Sequence, residues 1–262
     1  MRRGLAATLV FLATFTALAF LALPVVAIFG RVPPGKLAAQ LGNPVVVDAL
    51  LVSLKTTLLA QALVLLLGTP AAYVLATRRF RGRSLLVTLV ELPLVLPPAV
   101  AGIGLLAAFG RAGLLHSSIP FTQTAVVLAV SFVASPLYVR AAIAAFEGID
   151  ANVVAASRTL GAGPVRTFFR VVLPLARGGL GAGAALAFAR GLGEFGATIM
   201  FAGSLRGVTQ TLPLAVYAQF DVNFDVALAV SALLVLISAA LLVTLKWLPS
   251  ASTLRFRFAT SS

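Results

Sequence analysis

The chain has 262 residues, of which 60% are hydrophobic and only 10% are charged. That composition excludes a soluble domain, which needs more polar surface, and several apolar runs exceed the ~20 residues that a spanning helix requires. The composition therefore indicates an integral membrane protein, and the absence of cysteine excludes a disulfide framework or a thiolate metal site.

Six hydrophobic segments are predicted to span the bilayer, which makes the fold class an all-α polytopic membrane protein. They cover residues 5–29, 48–76, 84–109, 122–145, 178–202 and 225–247. The first follows Met1-Arg2-Arg3 and resembles a signal peptide, but about 25 residues are longer than the ~7–15 of a signal core. We therefore predict that it is a retained helix, and six spans place both termini on one side.

Basic residues are unequally distributed between the two sides of this topology. Thirteen of the 20 lie on the side of the termini, namely Arg2, Arg3, Arg78, Arg79, Arg81, Arg83, Arg158, Arg166, Arg170, Arg177, Lys246, Arg255 and Arg257. Four lie on the opposite side, namely Arg31, Lys36, Arg111 and Arg206. Because basic loops favour the cytoplasmic side, both termini are predicted to be cytoplasmic, and the net charge of +13 requires no nucleic acid.

No catalytic or nucleotide-binding motif is found in the sequence. Gly30 to Leu37 approximates the phosphate-binding pattern G-x-x-x-x-G-K-[ST], but Leu37 lacks the hydroxyl, two prolines remove donors and the stretch is predicted to lie outside. His116 is interpreted as a solvated loop residue rather than a ligand. The sequence therefore predicts neither covalent chemistry nor a metal or cofactor bound by this chain.

Between the fourth and fifth spans, residues 146–177 form a polar loop with signals for two short helices. Asp150 is a predicted N-cap for a helix that runs to Leu160, and Gly161 can take the left-handed conformation that follows a helix. Pro164 suits the first turn of a second helix, which Pro174 is predicted to interrupt.

The second short helix is predicted to be amphipathic. Its apolar residues Val165, Phe168, Phe169 and Val172 follow an i, i+3, i+4, i+7 pattern, whereas Arg166 and Arg170 share another face. An amphipathic helix lying on the lipid surface has the same periodicity, so periodicity alone leaves a partner groove and the membrane surface as equal alternatives.

The spacing within this loop resembles the cytoplasmic EAA loop of ABC-importer permeases. That motif is Glu-Ala-Ala, three residues, Gly, nine residues, then an aliphatic residue, any residue, Leu and Pro. Here it reads Ala155-Ala156-Ser157, Gly161 and Val171-Val172-Leu173-Pro174, so Ala155 replaces the usual Glu and Ser157 replaces Ala. The contact of that Glu is therefore in doubt in this chain.

The resemblance implies a type I ABC importer permease fold, in which the second helix is a coupling helix that docks in a groove of a separate ATPase. ATP-Mg would bind to that partner and not to this chain. The implied ATPase-coupling residues are Ala155, Ala156, Ser157, Gly161, Pro164, Val165, Arg166, Phe168, Phe169, Arg170, Val172, Leu173 and Pro174.

Three further stretches are similar to permeases of the molybdate importer family, with tungstate and sulfate permeases close to them. They are ELPLVLPPAVAGIGLLAAFGRAGLL at 91–115, FARGLGEFGATIMFAG at 188–203 and TQTLPLAVY at 209–217. The resemblance covers about 45–247, which we predict to be the permease domain, between an N-terminal helix with its external loop (1–44) and a cytoplasmic tail (248–262).

This resemblance implies a homodimer in the cytoplasmic membrane, an ATPase dimer inside and an oxyanion-binding protein outside. Molybdate or tungstate is the expected cargo, and sulfate or thiosulfate is the rival. A passive anion channel leaves the EAA-like spacing unexplained, and a membrane-embedded enzyme lacks a catalytic set.

The fifth predicted span contains both small and charged residues. Small residues recur at intervals of four, including the helix-packing candidates Gly183, Ala187, Gly191 and Gly193. Arg190 and Glu194 lie one turn apart, where they either neutralise each other or leave Arg190 to attract an oxyanion in the pathway.

Two other features of the spans bear on the pathway. Lys55 and Arg140 are predicted to snorkel to the membrane interfaces. Prolines in the third and fourth spans, Pro93, Pro97, Pro98 and Pro136, are candidate kinks, and such kinks either gate a pore or serve static packing.

Overall fold

The protein is described by a computed structural model that covers residues 2–31 and 33–247, and every regular element in these ranges is helical. The elements are α1 (Arg2–Arg31), α2 (Pro34–Leu41), α3 (Pro44–Thr77), α4 (Arg83–Val95), α5 (Pro98–Phe109), α6 (Gln123–Glu147), α7 (Ala151–Thr159), α8 (Pro164–Thr167), α9 (Leu173–Leu192), α10 (Gly196–Ala202), α11 (Leu212–Gln219) and α12 (Phe224–Trp247). The predicted tail at 248–262 lies outside the described residues.

Five helices in the described part of the chain are long and apolar enough to cross a membrane. They are Thr8–Arg31, Pro44–Thr77, Gln123–Glu147, Pro164–Leu192 and Phe224–Thr244. A sixth crossing is possible if α4 and α5, which are bent by 116° at residues 96–97, count as one broken span. The five unbroken helices confirm five of the predicted spans, although their bounds differ.

The core is built from α3, α6 and α9. Thr69 Oγ1 lies 2.6 Å from the Tyr138 hydroxyl, and Ser131 Oγ donates to the Ala60 carbonyl at 3.4 Å, so α3 and α6 run in the same direction. Because two consecutive parallel spans need a return crossing between them, α4 and α5 together must bring the chain back.

Contacts at both ends of the α4–α5 pair agree with a return crossing. Arg83, which begins α4, forms an ion pair of 2.6 Å with Glu147 at the end of α6. Phe109, which ends α5, accepts a hydrogen bond from Ser117 in the loop that leads to the start of α6. The pair therefore connects the two ends of the bundle, and six crossings result.

The predicted stop at Pro174 is wrong. Helix α8 continues through a π-helical turn at Phe168–Val172 into α9, which gives one helical run from Pro164 to Leu192. In that turn the Leu173 amide donates to the Phe168 carbonyl, five residues back. Pro174 cannot donate a backbone hydrogen bond, and the π turn directly before it already interrupts the regular four-residue pattern of such bonds, so the helix continues past the proline.

The fifth predicted span is also wrong at its outer half. Helix α9 ends at Leu192, residues 193–195 are not helical, and α10 begins at Gly196. Upstream of this break α9 packs closely on α6, because a Cβ at Gly183 would lie 2.6 Å from the Ala141 Cβ. Gly193 is exposed and lies in the break, so it does not belong to the predicted packing set.

Gly191 and Ala187 do belong to the packing set. A Cβ at Gly191 would lie 2.8 Å from the Val130 Cγ1 on α6, and Ala187 is buried in the same interface. Small side chains at these positions let the α6 and α9 backbones approach closely, as predicted from the four-residue spacing.

Candidate coupling surface and intramembrane ion pair

The turn between α7 and α8 has the local structure that the sequence predicts. The Asp150 carboxylate accepts from the Asn152 amide at 2.8 Å and caps α7. Gly161 has φ of 84°, its amide donates to the Arg158 carbonyl, and the Ala162 amide donates to the Ser157 carbonyl. These two bonds form a Schellman motif, which requires the left-handed residue that glycine supplies.

A hydroxyl pair closes this turn. Ser157 Oγ lies 3.2 Å from Thr167 Oγ1, and the Thr167 hydroxyl also donates to the Ala162 carbonyl at 3.4 Å. Thr167 is buried, so its hydroxyl needs a partner, and Ser157 is the residue that replaces Ala in the EAA pattern. This departure from the motif therefore ties α7 to α8 in this chain.

The structure divides the predicted apolar stripe into two faces. Phe168 packs against Tyr73 and Phe146, with ring centroids 4.9 and 6.3 Å apart, and Val172 is buried beside it. Val165 and Phe169 point outward and are 70% and 60% exposed. The expectation that Phe168 belongs to the ATPase-coupling surface is therefore corrected, because this partly buried ring packs against the core of its own chain.

We call the segment from α7 to the π turn, residues 151–172, the coupling turn, and the periodicity missed an outward apolar surface on it. Leu160, which the sequence suggested as a helix end, is 88% exposed and precedes the left-handed glycine. We call Leu160, Val165 and Phe169 the coupling face. Arg166 and Arg170 are also exposed on α8 and the π turn, and neither forms a described ion pair.

A groove next to the coupling turn brings together residues from three parts of the chain. Its volume is 1140 Å³, and it is lined by the end of α3, the start of α4, the end of α6, α7 and Pro164. Ala155, the position that carries Glu in the EAA pattern, lies on its wall. Long-range packing creates this groove, so no local sequence signal could have predicted it.

The intramembrane charges form an ion pair. Arg190 Nη1 lies 2.7 Å from Glu194 Oε2, and the other Glu194 oxygen accepts from the Ala197 amide at 2.8 Å. The Glu194 side chain is 1% exposed and that of Arg190 is 35% exposed. Glu194 thus bridges the break between α9 and α10, because it pairs with the end of one helix and accepts an amide from the start of the next.

The two breaks in the helices lie against each other. A Cβ at Gly196, the first residue of α10, would lie 2.6 Å from the Pro98 Cβ, the first residue of α5. Pro97 and Pro98 stand at the break as predicted, whereas Pro93 lies inside α4 without ending it. The glycines at 191, 193 and 196 were the available signal for the second break, and the prediction of one continuous span overlooked them.

The other two intramembrane cations have different environments. Arg140 Nε lies 3.1 Å from Glu91 Oε1, so an ion pair joins α6 to α4, and the snorkelling of Arg140 stays a prediction. Lys55 is exposed on α3 and takes part in none of the described ion pairs, which leaves the snorkelling prediction standing.

Comparison with known families defines the class of protein. Residues 65–249 match the family described as the inner membrane component of binding-protein-dependent transport systems, and the chain belongs to this family. It is therefore a multi-pass membrane permease and a transporter component rather than an enzyme.

Relatives within that class are similar over most of the chain. The molybdenum transport system permease protein ModB of Mycobacterium tuberculosis is 47% identical over 239 residues, which cover 88% of this chain and 90% of that protein. A probable molybdenum ABC transporter permease of Haloferax volcanii is 42% identical over 214 residues, 79% of this chain and 78% of that protein. ModB of Escherichia coli is 43% identical over 178 residues, 65% and 78% of the two chains.

Two solved structures share the fold. The inward-facing MetNI methionine ABC transporter matches with a TM-score of 0.61 and 21% identity, over 77% of this chain and 93% of that chain. A bacterial ABC transporter that imports the acidic polysaccharide alginate matches with a TM-score of 0.66 and 16% identity, over 94% and 96%. The predicted ABC importer permease fold is confirmed.

Proposed function

We propose that this chain is the permease subunit of an ATP-driven importer for a tetrahedral oxyanion, molybdate or tungstate. The observation that carries the proposal is the 47% identity over 239 residues to a molybdenum transport permease, a match that covers 90% of that relative. Molybdate and tungstate are dianionic tetrahedra of nearly equal size, so the permease need not distinguish them.

Energy would come from a separate cytoplasmic ATPase that binds ATP-Mg. The coupling face supports this proposal, since Leu160, Val165 and Phe169 are large apolar side chains exposed on a polar turn. Large apolar groups at the centre of an interface usually carry most of its binding energy. Both termini and residues 77–83 and 146–177 then lie in the cytoplasm.

The complete importer would contain two copies of this chain, an ATPase dimer and an extracytoplasmic binding protein that delivers the anion. One EAA-like loop on six crossings corresponds to half of a transporter. In this assembly we assign the Arg190–Glu194 pair a structural role at the break between α9 and α10, because the Glu194 carboxylate has a partner on each oxygen.

Reconstitution tests the proposed function directly. Proteoliposomes that contain the permease and its cognate ATPase are supplied with the cognate binding protein, and uptake of radiolabelled molybdate is measured with and without internal ATP. We expect ATP-dependent accumulation that excess tungstate suppresses and excess sulfate does not. Uptake of sulfate with no uptake of molybdate would assign the chain to the rival substrate class.

Uptake that proceeds equally without ATP would contradict the importer proposal and indicate a passive channel. A matched control uses the Val165→Asp/Phe169→Asp variant of the coupling face. We expect this variant to assemble normally but to lose ATP-dependent uptake, because two charges are placed where the ATPase is proposed to bind.

A further inference from the structure

The groove beside the coupling turn carries an excess of positive charge. Four arginines and one glutamate line it, namely Arg78, Arg79, Arg83, Arg158 and Glu147, which leaves three net positive charges. They come from the α3–α4 connection, the end of α6 and α7. The groove therefore favours an anionic occupant.

The single carboxylate of the groove is already in use. Arg83 Nη2 pairs with Glu147 Oε1 at 2.6 Å, and Arg83 Nε donates to the Leu75 carbonyl at 2.6 Å. Asp150 lies nearby in sequence, but its carboxylate caps α7. Arg78, Arg79 and Arg158 are thus without a carboxylate partner among the described residues.

Ala155 explains why the groove lacks a second carboxylate. This residue lines the groove at the position where the EAA pattern carries Glu. A Glu side chain there would extend toward the arginines of the groove and reduce the charge excess by one. With Ala155, both the negative charge and the volume of that side chain are missing, so a partner has to supply them.

We propose that an acidic segment of the cognate ATPase enters this groove and pairs with Arg79 and Arg158. The inference rests on the proposed function, since it names the chemistry of the ATPase contact. The groove has a volume of 1140 Å³ and carries several arginines side by side, so it has room and charge for more than one acidic side chain of a protein segment.

Position supports the same occupant. Arg158 and Pro164 line the groove and belong to the turn that carries Leu160 and Val165, so a protein bound to the coupling face would lie at its opening. Apolar walls contributed by Tyr73, Phe146 and others would surround the aliphatic parts of acidic side chains. Arg79 and Arg158 are exposed, so charge complementarity at this groove would act mainly by steering association.

Charge reversal tests the pairing. The full-length permease is placed in nanodiscs of phosphatidylcholine, and binding of the purified ATPase is measured at low and high salt. We expect Arg79→Glu and Arg158→Glu each to weaken binding by about tenfold or more and to flatten its salt dependence. Arg81→Glu is the matched control, because Arg81 is exposed in the same turn but does not line the groove.

Restoring the motif gives a second, independent test. Ala155→Glu would place a carboxylate beside the arginines, where it competes with the acidic segment, so we expect weaker binding than in the wild type. Ala155→Gln has almost the same volume without the charge, and it should bind the ATPase at least several-fold more tightly than Ala155→Glu. Equal or tighter binding by Ala155→Glu would overturn the proposal.

The outcomes separate the groove from the proposed function. A wild-type permease that does not bind the ATPase would overturn both. A wild type that binds and transports, with unchanged affinity in Arg79→Glu and Arg158→Glu, would overturn the groove alone. If those variants instead lose only co-purified phosphatidylglycerol, the groove is a lipid site and the proposal is wrong. Should the reversals misfold, Arg79→Gln and Arg158→Gln repeat the test, with melting temperature as the folding control.

Discussion

Removing Arg190 should destabilise the protein more than removing the whole ion pair. In Arg190→Ala the Glu194 carboxylate stays 1% exposed and keeps only the Ala197 amide as a partner. Loss of one member of a buried pair costs about 3–5 kcal/mol, and the remaining amide bond together with the 35% exposure of Arg190 places the expected cost near 3 kcal/mol. That is on the order of a hundredfold in the folding equilibrium.

The double variant Arg190→Ala/Glu194→Ala leaves no buried charge. Its main loss is the side-chain acceptor at the start of α10, and loss of such a cap costs about 1 kcal/mol. With ~2–4 °C per kcal/mol for a domain of this size, we expect a fall in Tm of roughly 6–12 °C for Arg190→Ala and roughly 2–4 °C for the double variant.

The assay is thermal unfolding of the purified permease in detergent, followed by fluorescence and by the monodisperse fraction on size exclusion. Glu194→Gln is the matched control, because its amide oxygen can still accept from Ala197 while the buried negative charge is removed. A double variant with a lower Tm than Arg190→Ala would refute the reasoning. If Arg190→Ala melts normally but transports nothing, Arg190 belongs to the pathway.

Three further predictions follow from other parts of the structure. Because Phe169 is exposed, Phe169→Ala should weaken co-elution of the ATPase and leave Tm unchanged. Because Phe168 packs on Tyr73, Phe168→Ala should lower the free energy of unfolding by about 2 kcal/mol or more. The reverse pattern would contradict the assignment of Phe169 to the partner and of Phe168 to the packing of this chain. Gly183→Ala should lower the free energy of unfolding by about 1–3 kcal/mol in the same assay, because the added Cβ would meet Ala141. Gly181→Ala is the control and should not lower it, because nothing lies within 4 Å of that Cβ. Equal melting temperatures of the two variants would argue against close α6–α9 packing. Membrane-impermeant maleimide should label Ser118→Cys in intact cells and leave Thr159→Cys unlabelled, since both residues are exposed and only the former is predicted to face outward; the opposite labelling would invert the topology.

Local signals predicted the coupling turn well. Asp150, Gly161 and Pro164 each act through the backbone of their own turn, so the sequence was sufficient to place a cap, a left-handed residue and a helix start. The same reasoning failed for Pro174, because whether a proline ends a helix depends on how the preceding turn is hydrogen bonded.

Long-range packing accounts for what the sequence did not predict. The period of the stripe is equally consistent with Phe168 or Phe169 facing outward, and the Tyr73 and Phe146 rings from other helices decide between them. Glu91 is 49 positions from Arg140, so its role as the partner of that cation requires knowledge of how α4 lies on α6. Family resemblance supplied the fold, but the groove at Ala155 exists only because three separate segments meet.

The uninterrupted helical run from Pro164 to Leu192 gives the protein a long mechanical arm. Its 29 residues at ~1.5 Å per residue span roughly 43 Å, from the coupling turn to the residue just before the Glu194 break. A tilt of about 5° around one end of such a helix moves the other end by roughly 4 Å, which exceeds the 2.7 Å length of the Arg190–Glu194 contact. If the ATPase binds as proposed, a push on the coupling face would be transmitted, without an intervening loop, to the place where the two broken helices touch.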